Sequence, residues 1–461
     1  MKTAIIINRL AGILATIALL PACSKDNFLD TKPSSNLVVP STLSDFQAIL
    51  DNDGVMSQTP GLGEVSADNY YLTYAFWQGL DSKEQNAYTW AADIYQGQGG
   101  VDDWNIPYKQ VFYANIVLDG LPNVSKDSNL VMWETVKGEA LFLRAYAFFN
   151  LAQIFAPVYD SSSAANDMGI PLRLSSNVKA VSTRASVQQT YAQILQDLVE
   201  ASQLLPAPLP LVNRNRASKP AAMALLARVC LSMRNYHQAG LYADSCIRLY
   251  ATLIDYNTLD TTAVFPFTNL NTETLYQTSL LQSSQVLLGL IYPDCIVDSG
   301  LYASYAPNDL RHAIYYHLNA NGLPNLKGSY NGTVFPFSGL AVDEAYLTRA
   351  ESEAREGNTT KAMADLNTLL QTRWKTGTFI PFTAASPAQA LAIILTERRK
   401  ELAFRGLRWT DLRRLNKEGA AIVLTRQLNG QAYTLPPNDP LYVLPIPPDE
   451  IAQDGLPQNP R

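Results

Sequence analysis

Apolar residues recur at every third or fourth position over two stretches of equal length, 217–250 and 341–374. That is the spacing of a helix with one face turned to a core. The first stretch reads as a helix through AAMALLARVCLSM, a turn near Asn235, and a second helix through YHQAGLYADSCIRLY. Ala239, Ala243 and Ile247 fall in register on that second helix. The other stretch reads VDEAYLTRAESEARE, then Gly357-Asn358, then KAMADLNTLLQTRW. Leu225-Leu226-Ala227-Arg228 is echoed by Tyr346-Leu347-Thr348-Arg349. Each stretch spans 34 residues, the period of a helix–turn–helix repeat. Ala227, Ala239, Ala350 and Ala362 are small enough to let the paired helices approach closely.

The same spacing predicts a strong helix over 133–155, partnered by 187–205 across a Ser-, Asn- and Pro-rich loop at 156–184. A helix over 105–121 is expected to pair with the helix before it or with the segment 397–414. That segment, ERRKELAFRGLRWTDLRR, carries seven basic residues above an apolar stripe of Leu402, Phe404, Trp409 and Leu412. Gly406 predicts either two short helices or one bent helix there. Residues 251–339 have another texture, with Thr-, Tyr- and Pro-rich pieces and Asn-Gly and Ser-Gly turns. They predict loops with a few short strands. The fold class is therefore mainly α: tetratricopeptide-like hairpins carrying a loop-rich ligand-binding subdomain.

The N-terminus adds a location. Lys2 and Arg9 precede an uncharged run over 10–20, too short to span a bilayer and suited to a signal-peptide core. LPAC at 20–23 reads as a lipobox, which makes 1–22 the leader and Cys23 the lipid-modified first mature residue. The regions 23–210 and 211–461 then follow. Cys230, Cys246 and Cys295 remain, an odd number that cannot all pair; Cys230 and Cys246 lie on apolar helical stretches and read as buried small residues. A net charge of −6 excludes the basic surface that nucleic acid requires.

Candidate catalytic chemistry is sparse. The three histidines, His237, His312 and His317, form no cluster, and no nucleophile elbow, phosphate loop, metal motif or cofactor motif occurs. Glu64/Asp68 and Asp102/Asp103 are the acid pairs that border aromatic segments. Asp93, Asp102 and Asp103 offer oxygens to calcium without the spacing of a calcium loop. Aromatic enrichment is the better clue, since twelve aromatics lie between Glu64 and Tyr113, interleaved with Gln78, Gln85, Asn86, Gln96, Gln98 and Asn105. Aromatic faces stack on the C–H face of a sugar ring while amides bond its hydroxyls. Tyr108, Phe112 and Tyr113 belong to the buried stripe of their helix. Trp77, Trp90 and Tyr95, with Tyr74, are the expected stacking residues, and Asn86 and Gln98 the expected amides.

Several of these segments together resemble the SusD/RagB family. GEALFLRAYAFFNLAQIFAPV is similar to its N-terminal helical motif, EAYLTRAE to its C-terminal one, and LYASYAPNDLRHAIYY to its Tyr–Pro–Asn-Asp–Arg segment. ERRKELAFRGLRWTDLRR is similar to its signature, and YVLPIPPDEIAQDGLPQNP to its ending. Arg405 stands where the family usually has Glu, and Thr410 where it usually has an aromatic. The resemblance implies a surface-exposed outer-membrane lipoprotein that captures nutrient oligomers, preferably oligosaccharides, for a SusC-like TonB-dependent transporter, with no bond broken and no metal or cofactor. A peptide-binding member of the family, a surface glycan hydrolase and a protein-binding helical adaptor are the alternatives.

Overall fold

The computed structural model describes residues 40–210 and 214–461; the leader 1–22 and Cys23 lie outside the described residues. Among the described residues ten helices of eight residues or more form the scaffold: α1 (Leu43–Leu50), α2 (Asp102–Gly120), α3 (Leu130–Phe155), α4 (Val187–Leu204), α5 (Lys219–Ser232), α6 (Tyr236–Leu249), α7 (Val342–Arg355), α8 (Thr359–Gln371), α9 (Pro387–Glu401) and α10 (Arg408–Lys417). The fold is mainly α, with close to half of the chain helical and only short strands.

Both predicted hairpins form. α5 and α6 turn back at Arg234, whose φ is +61°, and Asn235 caps α6; α7 and α8 turn at Gly357, φ +85°. α6 packs on α7, so the hairpins stack, and Gly240 makes the approach possible: a Cβ there would come within 2.9 Å of Ser352. Ala239, Ala243, Ala350 and Ala362 are all buried in these seams. α3 is apolar on nearly every side because α2 and α4 cover it. Arg144 of α3 fastens both, pairing with Asp197 of α4 at 2.8 Å and donating to Asn115 of α2 at 2.9 Å. The partner of α2 is thus α3, the helix that follows it. The expectation of a preceding helix or the signature segment fails in the main: of the helices before α2 only α1 reaches eight residues, and it meets α2 at its far end, where Phe46 packs on Gly120.

All sheets among the described residues are two-stranded. β1 (Tyr70–Leu72) pairs antiparallel with β2 (Cys295–Val297), and β3 (Tyr316–Leu318) with β4 (Pro324–Leu326). β5 (Leu424–Leu428) and β6 (Gln431–Leu435) form a hairpin turning through Asn429-Gly430, both with positive φ, as a type I′ turn demands. Cys230, Cys246 and Cys295 are buried and free.

The basic segment breaks into α9 and α10 through a turn with Phe404 at φ +60° and Gly406 at φ +71°, the predicted interruption. Each of its seven cations is held. Arg398 pairs with Asp411 at 2.9 Å, Arg399 with Asp298 at 3.2 Å, and Lys400 with Glu397 at 2.8 Å. Arg405 pairs with Asp343, and Arg408 grips Asp68 with two bonds of 2.6 and 2.8 Å. Arg413 donates to the Gln153 and Ala156 carbonyls at the α3 C-terminus, where the helix dipole favours a cation. Arg414 reaches Glu351 of α7 at 2.6 and 2.9 Å and Asp411 at 2.7 Å. The acids of α9 serve the loop region: Glu401 accepts from Arg373 at 2.7 Å and Arg311 at 3.0 Å, and Arg373 also bonds Glu273 at 2.8 Å.

Removing one member of a buried ion pair leaves its partner charged and unpaired, which costs about 3–5 kcal/mol. Arg414→Ala should therefore destabilise the protein by that order. A shift in the denaturant midpoint no larger than that of a surface Arg→Ala control would refute the scaffold role.

Candidate functional site

The short pieces between the helices carry four aromatic residues that reach solvent, on one ladder, the helix that follows it and the turn bonded to that helix. β1 pairs Tyr71 with Ile296 of β2. The pleat turns Tyr70 and Leu72 into the core and leaves Tyr71 outside, 40% exposed. Thr73 follows and caps the helix Tyr74–Gly79, accepting from the Phe76 N–H at 3.3 Å. The same residue is bonded to Asp294, through its N–H to the backbone oxygen at 3.0 Å and through its hydroxyl to the carboxylate at 2.7 Å. This joins the start of the helix to the turn that carries Tyr292, which is 55% exposed. Asn325 of β4 supports that turn from beneath, donating to the Tyr292 and Cys295 carbonyls at 2.8 and 2.6 Å.

Tyr74 and Trp77 lie about one helical turn apart and stack, with centroids 5.8 Å apart and planes at 23°. Tyr74 is 37% exposed and Trp77 half-buried. The Tyr74 hydroxyl accepts from Gln78 at 2.9 Å, and the Trp77 indole N–H donates to the Gln85 carbonyl at 3.2 Å. Both ring orientations are thereby fixed before any ligand arrives. Glu84 sits behind the surface and accepts from Ser284 and from the Gln285 and Val286 N–H groups. Burial raises its pKa, with Ser284 opposing.

The expected stacking residues divide. Tyr74 and Trp77 lie on the surface, but Trp90 and Tyr95 do not: they are 4% and 2% exposed and belong to the core. For Trp90 the reason is Arg426 of β5, which inserts among Tyr88, Trp90 and Tyr70 with its guanidinium carbon 4.1, 5.2 and 5.4 Å from their ring centroids. It donates to the carbonyls of Tyr70, at 2.7 Å, and Ala67. The Trp90 indole bonds the Ser66 carbonyl at 3.0 Å. Asn86 is half-buried and donates to the Ile94 carbonyl at 3.1 Å, while Gln98 is exposed and reaches Ser82 at 3.4 Å. Tyr71 and Tyr292 are the surface aromatics that sequence reasoning passed over. The alternation Tyr70-Tyr71-Leu72 carried a signal for the first; nothing in the sequence joined the second to it.

A family profile described as "Starch-binding associating with outer membrane" matches residues 27–231, and one described as "SusD family" matches residues 342–461. The chain belongs to the SusD/RagB family. Solved structures share the SusD fold. A putative sugar binding protein from Bacteroides vulgatus has 21% identity over 92% of this chain and 99% of its own, at TM-score 0.72. A SusD superfamily protein from Bacteroides thetaiotaomicron has 23% identity over 91% and 100%, at TM-score 0.70. A laminarin binding SusD-like protein has 18% identity over 91% and 98%, at TM-score 0.65. No curated protein matches the chain.

The acid pairs of this SusD-family protein are structural. Asp103 is buried and accepts from the Gly61 and Leu62 N–H groups at 2.7 and 2.8 Å; burial raises its pKa. Asp102 accepts from Ser283. Burial would raise Asp68, but Arg408 beside it brings its pKa down to about 2. Among the described residues no group of three or more His, Cys, Asp or Glu could hold a metal ion. Nor is any helix there long and apolar enough to cross a membrane.

Glu64 differs from the other three of these acids in the size of its shift. Burial pushes its carboxyl up to about 7, against the pull of the Gly406 N–H at 3.1 Å. The native state then holds its proton more tightly than the unfolded chain does, between the ordinary value of 4.5 and about 7. Its contribution to stability therefore falls as pH rises through that window. Glu64→Gln, neutral throughout, should gain on the order of 3 kcal/mol over the native protein between pH 4 and pH 8. Parallel denaturant-midpoint curves for the two proteins would sink this assignment.

Proposed function

We propose that the protein is a surface lipoprotein, anchored to the outer membrane through Cys23, that captures oligosaccharides and passes them to a SusC-like TonB-dependent transporter. The observation that carries the reading is the stacked Tyr74–Trp77 pair, with Tyr71 and Tyr292 on the same ladder and turn. Tyr74 and Trp77 are preset by hydrogen bonds and all four rings reach solvent, an arrangement that suits the apolar face of a pyranose. Gln78 lies at the rim to bond hydroxyls. The family description as starch-binding, and the sugar- and laminarin-binding names of the structural relatives, favour a saccharide over a peptide. Capture and delivery require no catalytic group, in keeping with acids that are committed to backbone amides and arginines.

Covering about 60 Å² of aromatic surface at about 25 cal/mol per Å² is worth about 1.5 kcal/mol, roughly tenfold in affinity. Isothermal titration with starch- and laminarin-derived oligosaccharides should find a ligand whose affinity falls at least tenfold in Trp77→Ala. Tyr74→Ala should weaken it by a smaller factor. Undiminished binding in the double variant would remove this surface from the site. Replacing Cys23 with Ala should release the protein from the outer-membrane fraction.

A further inference from the structure

A second aromatic platform stands in the scaffold and shares no residue with the surface above. The chain leaving α8 forms a loop over 374–381, and between that loop and α8 lies a cleft of about 650 Å³. Such a volume is within the range of small-ligand sites, about 300–1,000 Å³. Trp374 lines it and is held with unusual firmness. Its carbonyl accepts from the Asn257 amide at 2.9 Å, and its neighbours pair with the 308–310 segment, Leu310 N–H to Arg373 and Lys375 N–H to Asn308. Arg373, one residue back, is bonded to Glu273 and Glu401. The ring meets Phe379 and Phe382 edge-on, at centroid distances of 5.9 and 6.3 Å.

Two further features mark the cleft. The lining balances one acid, Asp255, against one base, Lys375, and otherwise offers amides and hydroxyls such as Thr368, Gln371 and Thr376. Asp255 is itself engaged in a local turn with Asn257, whose amide also bonds Trp374 and Thr376. No strand edge lines the cleft, so an extended peptide would find no ladder for its backbone. An aromatic platform and neutral polar walls suit a polyhydroxylated, uncharged ligand.

We infer that the α8/374–381 cleft is a second saccharide-binding site, which takes a neutral oligosaccharide independently of the Tyr71–Tyr292 surface. The inference rests on the saccharide-binding role proposed above but uses none of the same residues. The test is isothermal titration of the full chain with maltoheptaose and with laminariheptaose. It compares the native protein, Trp374→Ala, Thr368→Trp (which fills the cleft from α8 and leaves the ring in place) and Tyr74→Ala/Trp77→Ala.

The expected result is two binding events for one of these sugars in the native protein. Trp374→Ala and Thr368→Trp should each weaken one event at least tenfold and spare the other, and the double variant should do the reverse. Trp374→Phe, which keeps a platform, should restore most of the lost event. A single event that both cleft variants leave intact would overturn this site while the first stands. One event, lost in the cleft variants and intact in the double variant, would overturn the first and keep this one. Heat from neither sugar would overturn the assignment of the cleft to neutral glucans.

Discussion

Glu401 lies where two arginines from distant parts of the chain meet, Arg311 and Arg373, and none of the three side chains has any solvent exposure. Charges withdrawn from water repay their desolvation only where geometry is excellent and the remaining hydrogen bonds are made. Here they largely are: Arg311 also bonds Asp309 and Glu397, and Arg373 also bonds Glu273 and the Ile254 carbonyl. A misplaced element would leave a buried charge without a partner. The signature segment therefore sets the register of the loop region against the hairpins, and through Arg408 and Arg399 that of the loop before β1 as well. An apolar core of the same size would tolerate small slips that this network does not.

The aromatic surface depends on that constraint. Tyr71 stands on a three-residue strand, Tyr74 on a six-residue helix and Tyr292 on the turn before another three-residue strand, elements too short to be stable alone. They keep their geometry because Asp68, just before β1, and Asp298, just after β2, are tied to Arg408 and Arg399. The most recognisable part of the sequence holds the aromatic surface in place without being part of it. This division suits a family in which related folds carry different ligands, since surface rings can change while the network stays.

The helical hairpins were legible because periodicity and small residues are local signals. So was the break at Gly406, where a positive φ and close contact with Leu280 coincide. Arg405 is a departure from the family pattern that proved self-consistent, for Asp343 faces it and Tyr330 lies 4.2 Å beneath its guanidinium. Illegible were the contacts between remote segments. Trp90 and Tyr95 sit in a polar, aromatic-rich stretch that reads as an exposed loop, and nothing near them in sequence announces Arg426. Local composition marked an aromatic-rich stretch of chain and could not separate its inner face from its outer one.

Arg426 also constrains the order of assembly. Its bonds to Ala67, Tyr70 and Tyr88 close loops of 338 to 359 residues, among the longest in the chain and slow to form because closure entropy comes first. Emerging N-terminus first, the chain holds the aromatic stretch long before the hairpin that seats it. Until β5 arrives, Tyr70, Tyr88 and Trp90 lack the cation that turns them inward. The core beneath the aromatic surface is thus among the last features to mature, and a nascent or truncated chain has sticky rings where the finished protein has buried ones.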